Sequence, residues 1–189
     1  MKKIIILLFA VFTSLFFSQC SKELDAITPK NSVSQNDITG SDIATLRVGM
    51  YAQMEDFVFD VWFDFDTRAV NYKGGPGFTL STDPINMNPS DADLYTHWSK
   101  AYTTLNKINF VLKTIADNPN PAGYNTIKGE ALYLRALIYY NLVTRWGGVP
   151  ILTEQTYNVV PRASEADVWA QIKTDLTQAE ILVPATGGP

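Results

Sequence analysis

The sequence predicts an all-α fold in which antiparallel helix pairs are interrupted by one long, irregular, aromatic loop. Apolar residues recur at helical spacing in four separate stretches, and no stretch of comparable length alternates as a strand would. Each of the four is bounded by a capping signal or by glycine and proline. The composition, 46% hydrophobic and 18% charged, is that of a globular chain. We therefore expect four amphipathic helices that bury their apolar faces against one another.

The third predicted helix, Ala122–Trp146, is the most apolar and should lie at the centre of the array. Two rows of apolar residues follow it at helical spacing: Ile127, Ala131, Leu134, Ile138 and Leu142, and beside them Leu132, Ala136, Tyr139 and Val143. A helix that is apolar over most of its circumference must be packed on several sides. Gly147 and Gly148 favour a left-handed C-terminal cap, and Pro150 prevents the helix from restarting.

Two charged residues, Glu130 and Arg135, interrupt the first half of the apolar stretch Gly129–Pro150. They are five positions apart in the sequence, so they do not face each other along the helix. We predict that each pairs with a neighbouring helix or a loop.

The other three helices are predicted from a start signal and an apolar stripe. The first begins near Thr39 or Ser41, the second after Ser90, and the fourth at Ser164, which has capping-box spacing to Asp167. The stripes are Ile43, Leu46, Met50 and Met54 in the first helix, Leu94, Trp98, Ala101, Leu105, Ile108, Leu112 and Ile115 in the second, and Val168, Ile172, Leu176 and Ala179 in the fourth. The methionines are typical of core filling rather than of a metal site.

Residues 57–89 break the helical pattern and form the predicted loop. They open with FVFDVWFDFD, which alternates acidic and aromatic residues, and continue through Gly74–Gly77 to Pro89. Long connections inside a compact domain usually carry function. A second connection, Gly148–Ala163, contains two prolines and β-branched residues, so it is predicted to be extended with at most a short strand.

The first residues have the features of a secretory signal. Two lysines precede the apolar run Ile4–Phe17, which is too short to span a bilayer comfortably. The single cysteine, Cys20, follows where such a leader is cut, which resembles a bacterial lipoprotein signal, although Gln19 replaces the usual small residue. We predict a signal peptide at residues 1–19, lipidation of Cys20, and a polar, lipid-anchored tether at 20–37. An ordinary cleavage site near an unmodified Cys20 is the alternative.

Several functions are disfavoured by composition. A net charge of −4 supplies no basic footprint, so we predict no nucleic-acid partner. The single histidine, His97, is predicted to be a surface or packed residue, since no cysteine, histidine or clustered acid lies near it in sequence. Asp60, Asp64 and Asp66 lack the glycine and the distal glutamate of a calcium loop, and they crowd one stretch instead of facing across a cleft. We predict no metal, no cofactor and no enzymatic activity.

Several motifs together resemble a known family. They are Trp98-x-x-x-Tyr102-x-x-Leu105-x-x-x-Asn109, Gly129-Glu130-Ala131-x-x-x-Arg135-Ala136-x-x-Tyr139-Tyr140-x-Leu142-Val143, Trp146-Gly147-x-Val149-Pro150, Pro161-Arg162-x-Ser164, and Ile172-x-x-Asp175-Leu176-x-x-Ala179-x-x-Leu182-x-Pro184. This combination resembles the N-terminal part of the SusD/RagB family of outer-membrane nutrient-binding lipoproteins. The resemblance covers Ile38–Pro184 and implies that residues 38–189 are the N-terminal helical domain of a longer protein.

The resemblance also implies a fold and a role. Family members are built on tetratricopeptide-like helix pairs, face outward on the outer membrane, and deliver glycans or peptides to a SusC-like TonB-dependent transporter. The leading hypothesis is therefore a lipid-anchored, cell-surface protein that binds a nutrient, expected to be an oligosaccharide. The second hypothesis is a helical scaffold or lid that makes only protein contacts at the outer membrane.

The matched motifs belong to the scaffold, so the resemblance transfers no binding residue. The aromatic loop and the start of the second helix are instead predicted to bind ligand. Aromatic rings there could stack on sugar faces beside polar partners, and the candidate residues are Trp62, Asp66, Arg68, Asn71, Tyr72 and Tyr95. The alternative is that these aromatic side chains pack the loop onto the helices, because aromatic residues dominate buried area.

Overall fold

The computed structural model describes residues 42–68, 92–118 and 120–183, which belong to one compact unit. Within them lie four α-helices: α1 (Ile43–Arg68), α2 (Ala92–Ala116), α3 (Asn125–Trp146) and α4 (Glu165–Leu182). A short 3-10 helix leads into α3. The described residues contain no β-strand, only an isolated antiparallel bridge between Pro150 and Arg162. The predicted all-α class is confirmed, and the connection after α3 is extended as expected.

Consecutive helices run antiparallel, as the residues that meet across each interface demonstrate. Between α1 and α2, Lys100 forms an ion pair with Asp56, whereas Lys107 lies beside Gly49. The same opposite order joins α3 to α4, where the facing pairs are Gly129 with Leu182, Arg135 with Asp175, and Tyr140 with Trp169. The tetratricopeptide-like geometry of the pairs stays a prediction.

Helix α3 packs against each of the other three α-helices, which makes it the centre of the described array. Its buried residues are Gly129, Ala131, Leu132, Leu134, Arg135, Ala136, Ile138, Tyr139, Leu142 and Val143. Both predicted rows are therefore buried, except that Ile127 is only partly so. Burial of one large apolar side chain stabilises a fold by about 1.5–3 kcal/mol. Truncation of Ile138 alone would thus remove a large fraction of a typical domain's net stability.

The stripes of α1 and α2 complete this core. Met50 and Met54 are buried in it, which confirms their predicted packing role. Trp98 of α2 meets Trp146, the last residue of α3, edge to face with ring centroids 5.5 Å apart. Edge-to-face contact suits the ring quadrupoles, so the two tryptophans fix the end of α3 against α2.

Helix α1 is longer than predicted. The sequence from Phe57 onward was expected to be irregular, but the helix continues to Arg68. Two physical reasons explain the difference. The buried stripe of Met50 and Met54 continues at helical spacing to Phe57, which is also buried. No glycine or proline interrupts the chain between Met50 and Arg68, so the alternation of acids and aromatics is carried by a helix. The remaining predicted loop residues, 69–89, lie outside the described residues.

Helix α4 begins as predicted and buries the predicted Val168, Ile172 and Ala179, but one position of its buried face differs from the prediction. The Asp167 N–H donates to the Ser164 side chain at 3.1 Å, which confirms the N-cap. Asp175 is buried, whereas Leu176, predicted to be buried, is exposed. Asp175 belongs to the same helical stripe as Val168 and Ile172, and an ion pair with α3 satisfies its charge.

Candidate functional site

The predicted ligand-binding residues lie mostly where the structure describes little. Trp62, Asp66 and Arg68 belong to the last turns of α1, and their side chains lie outside the described part of the chain. Asn71 and Tyr72 lie outside it altogether, as do the predicted signal peptide, Cys20 and the tether. Tyr95 is described: it stands in the first turn of α2 and is 74% exposed.

The antiparallel register nevertheless relates these positions. Asp56 of α1 pairs with Lys100 of α2, so residues later in α1 lie level with residues earlier in α2. The backbone of Trp62 therefore stands at the same end of the hairpin as Tyr95. Binding through these residues stays a prediction.

A constellation of polar side chains lies instead between the helices, in the interior of the array. Arg135 of α3 donates two hydrogen bonds to the carboxylate of Asp175 on α4, at 2.8 and 2.6 Å. It also donates to the side-chain oxygen of Asn109 on α2 at 2.8 Å. All three residues are buried, so their charges and dipoles are satisfied by one another, by nearby backbone and by the Gln171 side chain, which donates to Asp175 at 3.0 Å. The prediction that Arg135 pairs with a neighbouring helix is confirmed.

This constellation holds the backbone of the connector that follows α3. The amide nitrogen of Asn109 donates to the carbonyls of Leu152 and Glu154 at 2.9 and 3.1 Å. The hydroxyl of Tyr139 accepts from the N–H of Leu152 at 2.6 Å and donates to its carbonyl at 3.2 Å. A segment without a strand partner thus has its peptide groups satisfied by buried side chains of α2 and α3.

The two tyrosines beside this connector are built for hydrogen bonding, not for proton transfer. Burial raises the pKa of Tyr139 to about 12, and it also raises the pKa of Tyr102 above its ordinary value. Both hydroxyls therefore stay protonated across the physiological range. Tyr102 uses its hydroxyl to hold the Pro150 carbonyl at 2.9 Å.

The turn that ends α3 is closed by Arg162. Its guanidinium donates to the carbonyls of Trp146 and Gly148 at 2.6 and 2.5 Å, which satisfies acceptors that a helix end leaves unpaired. Gly147 has φ +68°, a backbone conformation that other residues rarely adopt. At Gly148 a β-carbon would strike the Ala163 carbonyl oxygen, so glycine permits the close approach of the connector's return. The predicted glycine stop is confirmed. Gly147 is favoured by its positive φ, and Gly148 is required because a β-carbon there has no space.

An apolar groove lies where α1 meets α3. A space of about 760 Å³ lies over α1 and α3 and is lined by residues that include Val48, Tyr51 and Val58. A neighbouring recess of about 330 Å³ between α1, α3 and α4 is lined by Tyr51 and Tyr133 among others. Val48, Tyr51, Val58 and Tyr133 are all exposed. Contiguous apolar surface of this kind marks an interaction face more often than a solvated one.

A second ion pair borders this groove. Arg47 of α1 donates two hydrogen bonds to the Glu130 carboxylate of α3, and its guanidinium lies 6.0 Å from the ring centre of Tyr51. The hydrogen bond to Glu130 raises the pKa of Arg47. The prediction that Glu130 pairs with a neighbouring helix is confirmed.

Metal and membrane features can be checked in the described ranges alone. There, no three histidine, cysteine or acidic side chains come together in a way that could hold a metal ion. His97 is buried, which is the packed one of its two predicted placements. None of the described helices combines the length and apolar character needed to cross a bilayer.

Sequence reasoning identified Arg135 but missed its partner. Asp175 lies seven positions after Val168 and four before Ala179, which places an acid on the apolar stripe of α4. A lone acid on one apolar stripe and a lone arginine on another are the signal that could have predicted a buried pair. No comparable signal revealed that the pair, with Asn109, supports the connector.

Known proteins that are similar to this chain identify its family. The SusD-like family, described as starch-binding and associating with the outer membrane, matches residues 29–187. SusD-like protein P38 of Formosa agariphila is 30% identical over 128 residues, which are 63% of this chain and 24% of that protein. SusD-like protein P25 of the same organism is 21% identical over 160 residues, which are 75% of this chain and 30% of that protein. The chain thus spans a quarter to a third of the length of these relatives.

Solved structures show the same fold. Bacteroides fragilis NanU superimposes with a TM-score of 0.59 at 22% identity, over 82% of this chain and 33% of that one. A SusD-like protein from Bacteroides fragilis NCTC 9343 gives a TM-score of 0.50 at 28% identity, over 59% of this chain and 22% of that one. Most of the sequence matches the family, and the helical fold agrees with its solved members. The chain therefore belongs to the SusD-like family.

Proposed function

We propose that this protein is a lipid-anchored, outward-facing component of the outer membrane that binds a glycan and passes it to a TonB-dependent, SusC-like transporter. The family match over residues 29–187, with its description as starch-binding and outer-membrane-associated, is the observation that carries this proposal. The helical scaffold supports it, because a rigid array can present a binding surface without rearrangement. The proposed role involves no catalysis.

The binding surface is proposed at the end of the α1–α2 hairpin. Tyr95 is exposed there, and Trp62 stands at the same end by the helix register. Asp66, Arg68, Asn71 and Tyr72 follow in sequence and would supply hydrogen-bond partners. An exposed aromatic ring offers a flat apolar face for a sugar ring, and polar neighbours define its orientation.

The ligand half of the proposal is tested by a glycan screen. The full chain without residues 1–20 is titrated with soluble starch, other glucans and a set of non-glucan oligosaccharides. We expect saturable binding to at least one glycan and a loss of at least tenfold in affinity in the Trp62→Ala and Tyr95→Ala variants. Tyr133→Ala, which removes an exposed tyrosine from α3, is the matched control and should bind normally. Absence of binding to every glycan would disprove this half.

The anchor half is tested at Cys20. Cells grown with a labelled fatty acid should incorporate the label into the wild-type protein and not into the Cys20→Ala variant. Incorporation that persists in the variant would show that the cysteine is not the lipidated residue.

A non-binding scaffold or lid is the second candidate. The apolar groove over α1 and α3 favours it, since such a face suits another protein better than a sugar. The two candidates separate in the Trp62→Ala and Tyr95→Ala variants. Only the first predicts that ligand affinity falls while assembly with the transporter persists.

A further inference from the structure

The apolar groove at the junction of α1 and α3 continues onto α4. Tyr51 lines both the space of about 760 Å³ over α1 and α3 and the recess of about 330 Å³ that reaches α4, so the two form one surface. We call this surface the three-helix groove, and its exposed apolar residues are Val48, Tyr51, Val58, Tyr133, Leu176 and Val183. One exposed apolar side chain needs no explanation, but this many around one groove leave a contiguous apolar area in water.

The shape of the three-helix groove suits another helix. Helices α1 and α4 both pack against α3 but barely against each other, so a strip of α3 around Tyr133 lies open between them. Helices pack by laying ridges of side chains into grooves of this kind. Exposed carboxylates stand on both sides, Glu55 on α1 and Glu180 on α4. A matching helix therefore carries an apolar stripe with lysine or arginine beside it.

The complete proteins of this family contain enough additional chain to supply such a helix. The matches cover 24%, 30% and 33% of P38, P25 and NanU, so two thirds or more of each relative lies outside the matched part. The leader predicted at residues 1–19 marks the beginning of a chain, so additional residues are expected after residue 189. Val183, the last described residue, lines the recess, so the chain leaves the described fold at the groove itself.

We propose that the three-helix groove is an internal interface of the complete protein, filled by an amphipathic helix from the chain that follows residue 189. This inference goes beyond the proposed function and does not depend on a ligand. A tethered segment reaches the groove at an effective concentration that a separate protein seldom attains. The apolar side chains of the groove then become part of the core, whereas the Arg47–Glu130 pair stays at the wet, polar rim.

A second copy of the chain is a poorer occupant of the groove. A two-fold dimer brings the same patch against itself, so Glu55 and Glu180 of the two copies come near one another. Like charges that face each other across an interface disfavour the complex. A separate copy also loses translational and rotational freedom on binding, a cost that a tethered segment largely avoids.

A photo-crosslinker inside the groove tests the occupant. Tyr51→p-benzoylphenylalanine is introduced into the complete protein without residues 1–20, and the purified protein is irradiated. We expect crosslinks within one chain to a peptide beyond residue 189, in at least tenfold excess over the matched control. That control is Gln178→p-benzoylphenylalanine, which stands on another face of α4 and is exposed. Mass spectrometry identifies the peptide, whose sequence should show an apolar helical stripe with basic neighbours.

A measurement on the unaltered complete protein keeps the test valid if the variant fails to fold. Hydroxyl-radical footprinting compares the oxidation rate of each tyrosine in the folded protein with its rate in urea. Tyr51 and Tyr133 are 43% and 51% exposed in the described fold, so an open groove slows their oxidation only a few-fold. A filled groove should slow both at least tenfold.

The outcomes separate this inference from the proposed function. Crosslinks to a second copy, to residues 1–41 or to residues 69–91 overturn it, and so does the absence of crosslinks together with rapid oxidation of Tyr51 and Tyr133. An open groove of that kind would be available to another protein, as the scaffold candidate requires. Failure of the complete protein to bind any glycan, by contrast, disproves the ligand half of the proposed function and leaves the filled groove standing.

Discussion

Two ion pairs on the same central helix behave differently, because one is inside the array and the other is at its surface. The Arg135–Asp175 side chains are 8% and 1% exposed, whereas those of Arg47 and Glu130 are 46% and 14% exposed. Both pairs are bidentate and both join α3 to another helix. In the buried pair each charge depends on its partner, because water cannot take the place of a partner that is lost. In the outer pair water can replace either partner.

The buried pair also has a second task that the outer pair lacks. Through Asn109 it is connected to the carbonyls of Leu152 and Glu154. A substitution at the pair should therefore also disturb the connector. The outer pair borders the apolar groove and contacts Tyr51. The comparison therefore predicts a large, structural effect at one pair and a small, local effect at the other.

The largest effect is expected when one member of the buried pair is removed. Asp175→Ala leaves the Arg135 charge buried without its partner, which should lower the free energy of unfolding by about 3–5 kcal/mol. Urea denaturation measures it, with Glu180→Ala at an exposed position of α4 as the control for acid removal. The double variant Arg135→Met/Asp175→Leu should recover most of the loss, because no uncompensated charge remains. Equal losses in the single and double variants would contradict this explanation.

The next effect is expected at the return of the connector. Gly148→Ala places a methyl group against the Ala163 carbonyl, a backbone atom that cannot rotate away. We expect a loss of about 1–3 kcal/mol in unfolding free energy, in the range of overpacked sites. Gly49→Ala on α1 is the control, since its β-carbon would meet only the end of the Lys107 side chain at 3.9 Å. A stable Gly148→Ala protein would show that the two segments can separate.

The pH dependence should reveal the buried tyrosine at the connector. Tyr139 ionises near pH 10 in the unfolded chain and near 12 in the folded one, chiefly because burial disfavours the phenolate. Its stabilising contribution is thus complete below pH 10 and is lost as the pH rises from 10 towards 12. Tyr139→Phe should be less stable at pH 7 by about 1–3 kcal/mol, because the N–H of Leu152 loses its acceptor. The stability of this variant should fall less between pH 10 and 12, as denaturation at several pH values would show.

The smallest effect is expected at the outer pair. Arg47→Ala should lower the unfolding free energy by only about 0.2–1 kcal/mol, and added salt should shrink the difference between variant and wild type. Thermal melts at low and high salt measure it. A loss as large as that of Asp175→Ala would mean that the outer pair is covered in the functional protein.

The sequence by itself determined the helical class, the central position of α3, the N-cap at Ser164 and the glycine stop of α3. These features follow from local rules, namely the period of apolar residues, the Ser164 cap and the glycine stop after Trp146. It also identified Glu130 and Arg135 as residues that must find partners elsewhere. The family motifs agreed with the scaffold because their residues form its contacts, as Asn109, Arg135 and Asp175 do.

Only the tertiary structure decided which residues those partners are and what they support. The extension of α1 past Phe57 and the inward turn of Asp175 depend on contacts between elements, which local periodicity does not contain. The anchored connector depends on side chains from α2 and α3 that converge on it from distant positions in the chain. The exposure of Tyr157 is likewise a property of that packing, because no sequence pattern distinguishes a projecting tyrosine from a buried one.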